Sequence, residues 1–67
     1  MTLPETIHIK RRRLKLTQTE LATLCNTTQQ DIQRWETGAN EPKIDKLKLI
    51  AKALNCTIDE LVGGDGK

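Results

Sequence analysis

The 67-residue sequence predicts an all-α fold, a compact domain of five short helices. At four places a threonine is followed three residues later by an acidic residue. This spacing marks helix N-termini, because the hydroxyl accepts from a backbone N–H of the first turn while the carboxylate reaches back to the cap. Apolar residues recur at helical intervals between these signals. No stretch alternates strictly enough between apolar and polar residues to predict a β-strand.

The pairs of a threonine and an acidic residue predict where four of the five helices begin. The pairs are Thr2/Glu5, Thr17/Glu20, Thr28/Asp31 and Thr57/Glu60. The third pair is the weakest signal, because the aspartate side chain is shorter than that of glutamate. The remaining helix, the fourth, is expected to begin just after Pro42 and to carry an apolar stripe: Ile44, Leu47, Ile50, Ala51 and Leu54.

The residues expected at the helix ends are Asn26, Gly38 and Asn55, because glycine and asparagine tolerate a left-handed backbone. Residues 63–67 are expected to form a flexible tail. Helical spacing predicts these inward-facing residues in the first three helices: Leu3, Ile7 and Leu14; Leu21 and Cys25; Ile32 and Trp35. The two cysteines, Cys25 and Cys56, are expected to be buried free thiols.

The composition indicates a single domain over residues 1–67, with 36% hydrophobic residues and 30% charged residues. No apolar run approaches a membrane span and no signal peptide is evident, so we expect a soluble cytoplasmic protein, without a membrane partner. The sequence offers no nucleophile–base pair, carboxylate dyad, phosphate-binding glycine loop or metal-ligand cluster. An enzyme, a cofactor, a metal or a small-molecule substrate is therefore not expected.

The charges are unevenly distributed although the net charge is only +2. Five bases fall within residues 10–15, whereas residues 56–66 carry three acids and no base. Such asymmetry suggests an anionic partner at the basic end, and a solvated helix face is the alternative.

The third helix is expected to turn a polar face outward, opposite Ile32 and Trp35. This face carries Gln30, Gln33, Arg34 and Thr37, with Gln29 beside it in the first turn. A glutamine amide matches N6 and N7 of adenine, and a guanidinium matches O6 and N7 of guanine. The face therefore suits base recognition in the major groove, although an ordinary polar surface would have a similar composition.

Residues 18–38, QTELATLCNTTQQDIQRWETG, resemble the helix-turn-helix of phage repressors and Cro proteins, the XRE family with a lambda-repressor-like fold. The motif itself covers residues 18–37, and the similarity continues to residue 62 through KLKLIAKALNCTIDELV. The triplet Thr28-Gln29-Gln30 is especially similar to lambdoid repressor and Cro domains, in which the paired glutamines begin the recognition helix.

This resemblance implies a role for each matching residue. Base contacts are implied for Gln29, Gln30 and Arg34, and Gln33 lies on the same face. Phosphate contacts are implied for Gln18, Thr28, Thr37 and Lys43. Arg11 is expected to form a structural ion pair with Glu36 that positions the third helix.

The sequence departs from the family pattern in two regions. The turn has Asn26 where glycine is usual and Thr27 where an aliphatic residue is preferred. The loop before the fourth helix carries Glu41, where some phage members have lysine and arginine, so we expect weaker contacts with the DNA backbone.

We therefore predict a sequence-specific regulator of transcription that binds double-stranded DNA, a Cro-like repressor of phage or prophage type. A homodimer formed mainly on a pseudo-palindromic operator is expected, with weak association in solution. Leu49, or Leu61 and Val62, are candidates for the dimer contact. An antitoxin or a restriction–modification controller would have the same fold, and a helical protein-interaction module without DNA binding is the alternative of a different class.

Overall fold

A computed structural model describes residues 2–63 and contains five α-helices in this range. They are α1 (Leu3–Arg13), α2 (Gln18–Leu24), α3 (Gln29–Thr37), α4 (Ile44–Ala53) and α5 (Ile58–Gly63). The predicted all-α fold is confirmed. No helix among the described residues is long and apolar enough to cross a membrane. Gly63 is the last residue of α5, and the rest of the tail predicted for residues 63–67 lies outside the described range.

The helix starts follow the predicted threonine signals. At Thr2, Thr17 and Thr57 the hydroxyl accepts from the backbone N–H three residues on, and the glutamate there accepts from the threonine N–H. Thr28 has only the first half of this arrangement, since its Oγ1 accepts from the Asp31 N–H. The Asp31 carboxylate accepts instead from the Thr27 hydroxyl. The shorter aspartate side chain therefore stabilises the turn that precedes α3.

Three of the four left-handed residues in the described range stand where the sequence predicts a helix end. Gly38 ends α3 with a φ of 85°, and Asn26 and Asn55 have φ values of 58° and 59°. The fourth is Lys15, with a φ of 59°, in the connection between α1 and α2. A lysine gives no sequence signal for this conformation, because its side chain makes no local hydrogen bond that favours it.

The core is mainly aliphatic and lies where α3 packs on α1 and α2, and where α4 and α5 close the other side. It consists of Ile7, Leu21, Ala22, Cys25, Ile32, Trp35, Ile50, Ala51, Leu54 and Leu61. Burial of each large side chain contributes about 1.5–3 kcal/mol. This packing fixes the orientation of α3 on the rest of the domain.

Three sequence predictions about apolar residues are wrong. Leu14 is 46% exposed because α1 ends at Arg13, which leaves Leu14 as its C-cap. Ile44 is 61% exposed because it is the first residue of α4 and lies beyond the core. Leu61 is fully buried and is therefore unavailable for a dimer contact, whereas Val62 is exposed and Leu49 is half-buried.

A lysine of α4 holds the end of α2. Lys46 Nζ donates to the carbonyl oxygens of Cys25, at 3.2 Å, and Asn26, at 3.0 Å. The last carbonyls of a helix lack intrahelical partners and carry partial negative charge. This ammonium therefore stabilises the turn between α2 and α3, in which Asn26 has a left-handed backbone.

Cys25 and Cys56 are both free thiols. Cys25 is fully buried as expected, whereas Cys56 is only half-buried. Burial raises the pKa of the Cys25 thiol to about 11. Cys25 therefore packs as a small apolar residue behind α3.

Candidate nucleic-acid interface

The outward face of α3 is defined by five exposed residues, Gln29, Gln30, Gln33, Arg34 and Thr37. Ile32 and Trp35 lie on the opposite side of the helix, in the core. The arrangement follows from the helical period, which places residues 32 and 35 on one side and residues 30, 33, 34 and 37 on the other. The structure thus brings together all the side chains for which the sequence predicts base contacts.

Arg11 of α1 and Glu36 of α3 form an ion pair in the interior. Arg11 Nε donates to Glu36 Oε2 at 2.6 Å, and Arg11 Nη2 donates to Glu36 Oε1 at 3.2 Å. The remaining guanidinium nitrogen, Nη1, donates to the Leu16 carbonyl at 2.7 Å. Two parallel hydrogen bonds between guanidinium and carboxylate fix the relative orientation of the groups. The pair therefore ties the C-terminal turn of α3 to α1.

Glu36 also accepts from Gln18 and contacts His8. Gln18 Nε2 donates to Glu36 Oε1 at 3.1 Å, and His8 Nδ1 lies 3.0 Å from the same oxygen. Burial raises the pKa of Glu36, but the hydrogen bonds from Arg11, His8 and Gln18 outweigh this effect and leave the pKa below its ordinary value. Glu36 is thus held as a carboxylate.

Gln18 connects this buried cluster to the outward face of α3. Its Oε1 accepts from Gln29 Nε2 at 2.6 Å, while its Nε2 donates to Glu36. A continuous chain of hydrogen bonds therefore runs from Arg11 through Glu36 and Gln18 to Gln29, the first residue of α3. We call the part of this hydrogen-bond network from Glu36 to Gln29 the Glu36–Gln18–Gln29 relay. The sequence predicts a phosphate contact for Gln18 but gives no sign of its bonds inside the domain.

An open groove lies between the end of α1 and the start of α2. Arg12, Lys15, Gln18 and Gln29 are among its lining residues. The five basic residues within residues 10–15 differ in their exposure to solvent. Arg11 is buried and Lys10 is half-buried, whereas Arg12, Arg13 and Lys15 are exposed. The sequence indicates only that these bases attract an anionic partner, because the groove that Arg12 and Lys15 line forms between helices.

Of the other three predicted phosphate contacts, two lie at the ends of α3 and one lies at the start of α4. Thr28 is exposed and caps the helix, and Thr37 is exposed in its last turn. Lys43 is exposed as the N-cap of α4 and shares a shallow recess with Glu41. This carboxylate weakens the attraction that Lys43 has for an anion.

Arg34 is held only loosely. Its Nη1 lies 3.9 Å from Asp31 Oδ1, one helical turn earlier, and its side chain is 52% exposed. A pair of this length and exposure contributes little to stability. The guanidinium can therefore leave Asp31 for another acceptor at small energetic cost.

His8 is the contact that the sequence prediction overlooks. Its side chain is exposed, but its ring reaches Glu36, with Nδ1 3.0 Å from Oε1. The available signal is its position three residues before Arg11, on the same face of α1. Within residues 2–63 no group of three or more histidine, cysteine, aspartate or glutamate side chains could hold a metal ion.

Comparison with known families gives a match over most of the chain. A family profile described as helix-turn-helix matches residues 7–61. Repressor protein C2 of Salmonella phage P22 is 34% identical over 61 residues, which cover 91% of this chain and 28% of the repressor. The transcriptional activator BcrR of Enterococcus faecalis is 40% identical over 50 residues, covering 75% of this chain and 24% of the activator.

A further relative is the transcriptional regulator DicA of Escherichia coli strain K12. It is 32% identical over 65 residues, which cover 97% of this chain and 48% of the regulator. The chain thus spans between about a quarter and a half of the length of the curated relatives it matches.

Solved structures of the P22 c2 repressor have the same architecture. The repressor in complex with a synthetic operator superposes with a TM-score of 0.94 at 32% identity, covering 97% of this chain and 98% of that chain. The solution structure of its DNA-binding domain superposes with a TM-score of 0.93 at 31% identity, covering 100% of this chain and 88% of that chain. The profile match and these similarities agree with the helix-turn-helix that residues 18–38 predict. The chain belongs to the helix-turn-helix family.

Proposed function

We propose that this chain is a regulator of transcription that binds double-stranded DNA in a sequence-specific way, with α3 in the major groove. The observation that carries the proposal is the outward face of α3, where three amides and a guanidinium are presented by a helix whose other side is anchored in the core. The P22 c2 repressor, which has the same architecture, has been solved in complex with a synthetic operator. The amide-rich composition of the face also differs from the apolar centre of a typical protein–protein interface.

We assign base contacts to Gln29, Gln30, Gln33 and Arg34. Gln29 and Gln30 lie in the first turn of α3, the end of a recognition helix that contacts base edges most closely. Their amides suit adenine, and the Arg34 guanidinium suits guanine. Gln33 lies between Gln30 and Arg34 along the helix and extends the same surface.

We assign contacts with DNA phosphates to Gln18, Thr28, Thr37 and Lys43. Thr37 is the last residue of the outward face of α3, and the other three lie beside this face. Gln18 keeps a second Nε2 hydrogen beyond the one given to Glu36. The exposed Arg12 and Lys15 extend this set, because they line the same groove as Gln18. Glu41 opposes Lys43, so backbone binding and its salt dependence are expected to be modest.

We further propose that two copies bind a pseudo-palindromic operator and associate mainly on DNA. Helix-turn-helix dimers bind half-sites about 34–36 Å apart. The apolar side chains available for such a contact are the exposed Leu14, Leu24, Ile44 and Val62 and the half-buried Leu49, which lines a recess with Leu24. These few side chains provide too small an area for a stable dimer in solution.

The proposed outcome of binding is repression, by blocking access to a promoter. Similarity to a phage repressor over 91% of this chain favours this outcome. The proposed location is the cytosol of a bacterium or of a phage-infected cell, which suits two free thiols. We propose a binding role rather than an enzymatic one.

Selection of bound sites from a random pool of DNA duplexes tests the proposal. We expect a short motif containing adenine and guanine positions, repeated as an inverted half-site at a spacing of about one helical turn. Enrichment of no sequence, or of sites without repeated half-sites, contradicts sequence-specific or dimeric binding respectively.

A matched pair of variants shows whether α3 carries the specificity. R34A removes a cation from the outward face of α3, and K52A removes a cation from α4, in a recess shared with Leu24 and Leu49. R34A should lose preference at one guanine position, worth about 1–3 kcal/mol, while K52A should keep the wild-type motif. Equal motifs for R34A and wild type would remove Arg34 from the base-reading set.

A further inference from the structure

We propose that Glu36 is a positioning residue for base recognition. Acting through Gln18, its carboxylate fixes which end of the Gln29 amide is available to a base. The inference rests on the proposed function and deepens it, because it assigns part of the sequence preference to a side chain that is only 4% exposed and lies at the other end of α3.

The Glu36 carboxylate determines which end of the Gln18 amide faces it. An ionised carboxylate accepts hydrogen bonds and donates none. Its Oε2 accepts from Arg11 Nε, and its Oε1 accepts from Arg11 Nη2 and Gln18 Nε2. Since Oε1 has no hydrogen to offer, the Gln18 amide must turn its NH₂ group toward Glu36.

The orientation of Gln18 in turn determines that of Gln29, because the Gln18 amide has a donor at one end and an acceptor at the other. With Nε2 directed at Glu36, Oε1 is left to face Gln29, and it accepts from Gln29 Nε2 at 2.6 Å. Gln29 must therefore turn its own NH₂ group toward Gln18. The charge of Glu36 thereby sets the donor–acceptor direction of both amides.

This setting matters because a glutamine amide has no intrinsic preference between its two orientations. Rotation by 180° about the last side-chain torsion exchanges donor and acceptor at almost the same shape. Gln29 is exposed and has no other hydrogen bond among residues 2–63 that would select one orientation. The relay supplies this selection before DNA is bound.

The remaining groups of Gln29 define its base preference. One Nε2 hydrogen is engaged by Gln18, so one donor and the Oε1 acceptor are left. A donor beside an acceptor complements N7 and N6 of adenine, whereas guanine presents two acceptors, N7 and O6. The relay therefore favours adenine over guanine at the base pair that Gln29 reads.

Replacing the carboxylate by an amide should reverse the relay. In E36Q the amide oxygen keeps the shorter of the two Arg11 bonds, from Nε, at the position of Oε2, and the longer bond from Arg11 Nη2 is given up. The new NH₂ group then takes the position of Oε1 and faces Gln18. Gln18 then presents oxygen to this group and NH₂ to Gln29, and Gln29 offers its oxygen to Gln18. Both N–H groups of Gln29 become available, which complements the two acceptors of guanine.

The test is a ratio of affinities measured with the 67-residue chain. Q29A first identifies the base pair that Gln29 reads, as the position of a selected site at which preference is lost. Duplexes with adenine or guanine at that position are then titrated with wild type and E36Q. Wild type should prefer adenine by about five- to 150-fold, and E36Q should bind guanine at least as tightly as adenine. Preferences at the other positions should be unchanged.

Q18L gives a second measurement in case E36Q unfolds. It removes the relay at a half-buried surface position, so the adenine-to-guanine ratio should fall to about one. H8A is the matched control, because it removes a contact of Glu36 outside the relay and should keep the wild-type ratio. A wild-type ratio in Q18L overturns the proposal, and so does a loss of affinity in E36Q that is equal at every base pair. A wild-type chain that selects no DNA sequence refutes the proposed function itself.

Discussion

Glu36 and Arg34 stand two residues apart on the same helix but in opposite environments. The Glu36 side chain is 4% exposed and accepts hydrogen bonds from Arg11 and Gln18, with the His8 ring 3.0 Å away. The Arg34 side chain is 52% exposed, and its ion-pair contact with Asp31 is 3.9 Å long. The residues of α3 that anchor the helix and those that can contact DNA therefore lie at different angles around its axis, since two residues span about 200° of the helix.

Removal of the Glu36 side chain should have the largest effect. E36A leaves the Arg11 guanidinium buried without its carboxylate, which typically costs about 3–5 kcal/mol of unfolding free energy. Urea denaturation of E36A measures this loss, with R34A as the control from the exposed side, expected within about 0.5 kcal/mol of wild type. Similar midpoints for E36A and wild type would contradict the structural role of the pair.

Acidification should weaken the same anchor more gently. The pKa of Glu36 is lowered in the folded chain, so its stabilisation is present above the unfolded value of about 4.3 and is lost as the pH falls through the folded pKa. The pKa values of Glu5 and Glu60 are lowered by backbone hydrogen bonds from Thr2 and Thr57, and their contributions have the same sign. Unfolding free energies between pH 7 and pH 3 should therefore fall less steeply in E36Q than in wild type. Parallel curves would show that Glu36 contributes nothing to acid sensitivity.

On the exposed side, Q30A should change recognition rather than stability. Loss of its amide should cost about 1–3 kcal/mol at a single base pair and leave preferences elsewhere intact. Titration of single-substitution duplexes measures this position by position. An equal loss for every sequence would mean that Gln30 contacts the DNA backbone.

Replacement of Lys43 should affect all DNA sequences alike. K43Q removes one proposed phosphate contact, so the slope of log affinity against log salt should become shallower by about one unit. K52Q, with the same change of charge on α4, serves as the control and should leave the slope near that of wild type. Equal slopes for K43Q and wild type would place Lys43 away from the phosphates.

D31N is expected to change stability only slightly. The pair with Arg34 is long and exposed, so its loss should cost below about 0.5 kcal/mol. Asparagine keeps an oxygen for the Thr27 hydroxyl, and the lost negative charge should increase affinity for all DNA sequences. Weaker binding by D31N would show that Asp31 orients Arg34 for its base.

Much of the fold follows from local signals in the sequence. Thr2, Thr17 and Thr57 start helices because their caps are satisfied within four residues, and Gly38 ends α3 because its φ of 85° favours glycine. The burial of Ile32 and Trp35 follows in the same way from the helical period. Such features depend on the chain's immediate neighbourhood and can be predicted without the tertiary structure.

The features that the sequence does not predict are those that arise where separate helices pack together. Ile44 has a helical spacing that suits the core, but it is the first residue of α4 and its side chain is 61% exposed. Gln18 and Gln29 are eleven residues apart, and their hydrogen bond exists only because α2 and α3 are packed together. The groove lined by Arg12 and Lys15 arises in the same way. The helical period predicts the angle of a side chain around the helix axis, but it does not predict which residue of another helix that side chain contacts.

The buried sulfur of Cys25 has a consequence for the chemistry of the domain. With a pKa of about 11, roughly one molecule in ten thousand carries the nucleophilic thiolate at neutral pH. Oxidants and alkylating reagents act on that ionised form, and full burial also keeps them from the sulfur atom. The side chain that supports the turn before α3 is thereby insulated from redox conditions, and peroxide at levels that modify exposed thiols should leave it unmodified.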